Sequence, residues 1–101
     1  MVKTPQAQAK EAANTIGRAR IILETSGWIK GALKHSSGYC LLGAIQQANG
    51  KGEIRAIEIV RKLLPAWAGD IPHYNDSTTT TKNDVITLLL AAENIAKELA
   101  E

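Results

Sequence analysis

An all-α fold, a compact bundle of about four helices of unequal length, follows from three features of the sequence. Apolar residues recur at three- and four-residue steps through most of the chain, and no segment sustains the apolar–polar alternation of a half-buried strand. Thr, Asn, Gly and Pro also stand where helices should start and stop. The 101 residues include 15 alanines and no phenylalanine, so helices can approach closely and core bulk falls to Ile, Leu, Val and two tryptophans. One domain is expected: a chain of this length buries roughly two-thirds of its unfolded surface, and 45% of its residues are apolar.

Thr4-Pro5 predicts the start of the first helix, with Thr as cap and proline at a position whose missing N–H costs nothing. Ala12, Ala13, Ile16, Ala19, Ile22 and Leu23 then form one stripe, and Thr25-Ser26-Gly27 ends the helix at about Thr25. Arg20 falls within that stripe. Trp28 to Gly38 reads as a structured connector with room for one or two helical turns, weakened by Gly31. A short second helix over Tyr39 to Asn49 places Leu41, Ala44, Ile45 and Ala48 on one face, and Gly43 marks a spot where another backbone could come close. Asn49-Gly50-Lys51-Gly52 is a turn. The third helix follows from Glu53, with Ala56, Val60, Leu63 and Trp67 as its core face, an outer Glu58–Lys62 pair, and Pro65 as its end or kink. Gly69 to Thr80 has loop composition. Thr81-x-x-Asp84 opens the last helix, Lys82 to Ala100, in which only Thr87 is polar between Val85 and Ala92. That run should be wrapped by the other helices or half-buried in a dimer.

Several function classes drop out. A single Cys40 cannot form an internal disulfide, which fits a reducing compartment. The longest nearly apolar stretch, Val85 to Ala92, is far short of the ~20 residues a spanning helix needs. Residues 1–6 lack the apolar core of a secretory signal, so the cytoplasm is the expected compartment. Residues 1–50 carry six basic and two acidic side chains, net +4, and residues 51–101 carry six and eight, net −2. The second helix, its glycine turn and the third helix superficially resemble a helix-turn-helix. This mild charge asymmetry makes nucleic acid an unexpected partner all the same, although a weak DNA-binding module stays among the alternatives.

The densest group of reactive side chains is His73-Tyr74-Asn75-Asp76 in the predicted loop. Each has a local use, Asn and Asp in turns and caps, Tyr74 as a plug for the core. The alternative is a Cys-dependent hydrolase or transferase, with His73 or His35 activating Cys40 and Asn75 or Asp76 orienting the ring. A metal site would need Cys40, His35, His73 and Asp76 to converge without any paired ligand spacing, and no metal or cofactor is expected. Arg20 inside an apolar stripe requires a partner, and Asp76 is the proposed one. Trp28 and Trp67 read as core or interface anchors.

Taken in order, Trp28-x-x-Gly31, Gly38-x-Cys40-x-x-Gly43-Ala44-Ile45, Ile71-x-x-Tyr74-Asn75-Asp76 and Thr81-x-x-Asp84-Val85 form a set of boxes. Through them the chain resembles an uncharacterised family, a domain of unknown function in small proteins of actinobacteria and their phages, from about Ile22 to Ala96. That family more usually carries Trp where Tyr74 stands. The resemblance implies no activity; it implies a phage origin and a role in binding a host protein. The sequence therefore leads to a small non-catalytic helical interaction protein. Its expected partner is another protein or its own copy, through Val85 to Ala92, and no membrane is involved.

Overall fold

Helix α1 (Pro5–Ser26) is the spine on which the other long elements pack in the computed structural model, which describes residues 3–101. A two-stranded antiparallel ladder follows, β1 (Lys34–His35) with β2 (Gly38–Tyr39), and then α2 (Leu41–Gln47), α3 (Glu53–Lys62), α4 (Ile71–Asp76) and α5 (Lys82–Leu99). Helices α2, α3 and α5 all lie against α1, α3 also meets α5, and α4 sits on α2. The fold is a mostly-α bundle.

Small residues on α1 make this possible. Ala9, Ala12, Ala13, Ile16, Ala19 and Leu23 are buried together with Thr15 and Gly17, so α1 is covered on more than one side. A Cβ at Gly17 would stand 3.1 Å from the Glu93 carboxylate, so glycine here leaves room for α5. The bulk of the core comes from Ile16, Leu23, Leu41, Ile45, Val60, Ile71, Val85 and Leu89. Local signals end the helices as their chemistry requires. Thr4 Oγ1 accepts from the Ala7 N–H at 3.1 Å, and Thr81 and Asp84 form a reciprocal capping box.

Five expectations are corrected. The segment expected to be loop contains α4, started by Asp70, whose Oδ1 accepts from the His73 N–H at 2.8 Å. Its six residues are too few to display a helical period. The connector forms the β1–β2 hairpin rather than helical turns, in register Lys34↔Tyr39 and His35↔Gly38. Helix α2 begins at Leu41, because Cys40 is its extended N-cap. Helix α3 ends at Lys62, since Pro65 disfavours helical backbone at Leu64; Trp67 therefore leaves the core face and is 52% exposed. Glu58 pairs with Arg55 at 3.1 Å, one turn back, and not with Lys62. The apolar run of α5 is covered on one side only. Val85, Leu89 and Ala92 are buried, Ile86 and Leu88 half-buried, and Thr87, Leu90 and Ala91 exposed.

Candidate functional site

The boxes singled out in the sequence meet where the hairpin connector crosses the start of α2 and the end of α4. Asn75 is at the centre, with no exposed surface. Its Oδ1 accepts from the Trp28 indole Nε1–H at 2.5 Å and from the Leu41 backbone N–H at 2.9 Å. Its Nδ2 donates to the Ile29 carbonyl at 3.0 Å and to Asp76 Oδ1 at 3.0 Å. A side-chain amide has two donor hydrogens and two acceptor sites, so every one of them is used. The Leu41 N–H is one of the orphan donors of the first turn of α2, and Asn75 supplies its acceptor from a segment 34 residues away.

Asp76 continues the clasp. The same Oδ1 accepts from the Gly31 N–H at 3.0 Å, and Lys30 Nζ, held 5.3 Å from the centre of the Trp28 ring, donates to the Ser77 carbonyl at 2.6 Å. The hydrogen bond from Asn75 and then that from Gly31 hold the Asp76 carboxyl below its ordinary value against the opposing effect of burial, with a lesser contribution from the charge of Lys30. Gly31 has φ +83°, a left-handed conformation that turns its N–H toward this carboxylate at little steric cost.

Cys40 and Gly43 close the other side. The Cys40 thiol is buried and accepts from the Gly43 N–H at 3.3 Å, a sulfur cap on α2. The Cys40 N–H donates to the Leu33 carbonyl at 3.2 Å, and any Cβ at Gly43 would collide with that same carbonyl. The backbone for which Gly43 makes way is therefore the connector itself. Beside it a shallow pocket of about 180 Å³ is lined by Gly31, Ala32, Leu33, Cys40, Pro72 and Asp76.

The imidazoles stand elsewhere. His73 is exposed with its ring edge-on to Trp67, centroids 6.3 Å apart, and His35 Nδ1 lies 3.2 Å from Ser36 Oγ. Among the described residues no hydrogen bond joins either ring to the Cys40 thiol. Cys40, Asn75 and Asp76 are thus gathered into one place, and His73 is turned away from the thiol toward Trp67. Tyr74 is buried and packs on Trp67 at 5.8 Å between centroids; burial, and then the negative charge of Asp84, raise its pKa.

Residues 7–95 match a family of unknown function, DUF6197. The chain belongs to this family. The DUF6197 match takes in the whole clasp and reaches further toward the amino terminus than the stretch Ile22 to Ala96, adding most of α1. Searches among curated proteins and among solved structures find no match.

Arg20 does not reach Asp76. Its Nη1 pairs with Glu24 at 2.8 Å along α1, and its Nε faces Glu93 of α5 at 3.5 Å, where Lys97 also approaches Glu93 at 3.3 Å. A guanidinium lying between two long helices meets the carboxylate that its neighbour presents, and the α4 carboxylate is already engaged. Sequence reasoning missed the backbone partners of Asn75, the Ile29 carbonyl and the Leu41 N–H. No residue type announces them; only the extended connector and the start of α2 bring them there.

Proposed function

We propose that this DUF6197 chain is a non-catalytic helical protein that works by binding another polypeptide. The observation that carries this reading is the saturation of Asn75: the side chain best placed to orient a catalytic group has all four hydrogen-bonding positions engaged within the fold. The Cys40 thiol is likewise buried and engaged in a cap, whereas reactive thiols stand exposed beside cations. Trp67, by contrast, keeps half its surface in solvent, and tryptophan is the residue most enriched at binding hot spots. Mixed charges on α3, Glu53 and Glu58 among Arg55, Arg61 and Lys62, fit a protein partner better than a phosphate backbone. No helix among the described residues is long and apolar enough to cross a membrane. The reading places the chain in the cytoplasm, that of a host where the gene is phage-borne, with a host protein or a second copy as its partner.

Alkylation of the native thiol tests the non-catalytic part. Iodoacetamide should modify Cys40 only at the rate at which the bundle opens, and denaturant should accelerate the reaction sharply. Fast, stoichiometric modification of the native chain would favour the Cys-dependent enzyme instead. Immobilised chain should also retain a polypeptide that Trp67→Ala no longer retains; capture insensitive to Trp67 would rule out the Trp67 face as the binding surface.

A further inference from the structure

We infer that the Trp67 face seats a second copy of this chain, each indole entering a groove of the other across a two-fold axis. The inference rests on the binding function proposed above and names its partner. Trp67 lies in the turn after α3 and is 52% exposed, yet it is held in place by Tyr74 beneath it and His73 at its edge. A large aromatic fixed in the unbound state loses little conformational freedom on docking. Tyr74 is also one wall of a groove of about 470 Å³ that continues over Leu63 of the α3 end and Asp84, Thr87, Leu88 and Ala91 of α5. That volume lies within the range of pockets that hold small organic groups. Ridge and groove share Tyr74, so they adjoin on one face. A two-fold contact requires this, because the same patch must present both halves of the fit.

The charges on this face complement themselves. Arg61 and Lys62 flank Gly69 on the ridge side; of the carboxylates beside them, Glu58 is paired with Arg55 at 3.1 Å, and Asp70, which shares a pocket with Arg61, caps α4 through the His73 N–H at 2.8 Å. Among the described residues neither Arg61 nor Lys62 joins a salt bridge, and the groove carries one carboxylate, Asp84, that joins none either. Asp84 Oδ2 accepts from the Thr81 N–H at 2.9 Å, which leaves its second oxygen for a donor arriving from outside. Docking ridge to groove brings unpaired cations and the Trp67 N–H toward an unpaired anion, twice over. Ile54, more exposed at 76%, lies in a pocket whose carboxylates are already matched, Glu11 with Lys3 and Glu58 with Arg55, so that its remaining charge, Lys51, meets no free anion across a two-fold axis. The outer face of the apolar α5 run thus acquires a covering through Thr87, Leu88 and Ala91.

Sedimentation equilibrium of the full chain tests this, from micromolar to millimolar concentration, with circular dichroism to verify folding. The wild type should show a reversible monomer–dimer equilibrium. Trp67→Ala should weaken it by about 30-fold or more, the effect of losing a hot spot. Ala91→Arg should weaken it comparably by filling the groove with a like charge, and Ile54→Ala should leave it unchanged. A chain monomeric at every concentration overturns the inference, as does a dimer that survives either Trp67→Ala or Ala91→Arg, or one that Ile54→Ala dissociates equally. A monomer that still captures a different polypeptide through Trp67 overturns the self-association and leaves the binding function standing.

Discussion

The two tryptophans sit in opposite circumstances. Trp28 is half-buried, its indole N–H donates to Asn75, and Lys30 lies over its ring. Trp67 is 52% exposed, and its ring touches its own neighbours Tyr74 and His73 without any hydrogen bond from its N–H among the described residues. Around Trp28 every donor and acceptor of the Asn75 amide is engaged within the fold, which makes the segment rigid. Around Trp67 apolar surface and charges outside any ion pair remain, the features on which the proposed partner would dock. The box residues of the clasp therefore read as the means of holding the connector, and the proposed binding surface is the side that carries none of the Trp-x-x-Gly or Cys-x-x-Gly boxes.

Removing the centre of the clasp should produce the largest effect. Asn75→Ala strands the buried Leu41 N–H and the half-buried Trp28 N–H and Ile29 carbonyl, and at roughly 1–3 kcal/mol for each unsatisfied group the loss should reach about 3 kcal/mol. Urea unfolding measures it; a loss under about 1 kcal/mol would mean that water or a rearranged connector replaces the amide. A matched pair of substitutions makes the contrast between the tryptophans sharper. Trp28→Phe should cost about 1 kcal/mol or more for the lost hydrogen bond, whereas Trp67→Phe should stay within about 0.5 kcal/mol as an exposed change. Equal losses in the two variants would erase the distinction.

The smallest effect concerns acid. Because the folded-state pKa of Asp76 lies below its ordinary value, the unfolded chain binds more protons between the two values, and stability rises with pH there. The contribution is complete above the ordinary carboxylate range near pH ~4 and is lost as pH falls through the lower, folded value. Asp76→Asn should flatten that acid limb of the stability curve and leave its neutral limb parallel to the wild type. An unchanged acid limb would show that the Asp76 charge contributes nothing to the clasp.

Much of the scaffold was legible because its signals are local. The Thr4 cap, the Thr81–Asp84 box and the Asn49 turn, with φ +50° at Asn49, each depend on residues within three or four positions. The long stripes of α1 and α5 repeat often enough to establish a period. The site was legible as a set of residues and illegible as a geometry. Trp28, Gly31, Cys40, Gly43, Asn75 and Asp76 do converge, but Arg20 meets Glu93 and not Asp76, since a salt bridge between helices depends on how they cross.

The sequence by itself determined an all-α chain, the positions of its long helices and the residues that needed an explanation. Only the tertiary structure decided that Asp70 caps a helix of six residues, α4, that the connector is a hairpin, and that one tryptophan is tied inside while the other faces outward. The reason is range. The Asn75 bonds join residues 34, 46 and 47 positions apart, and elements of two or six residues have too few positions to carry a period of their own. Contacts with α1 and α2 hold them, so they depend on those helices being in place.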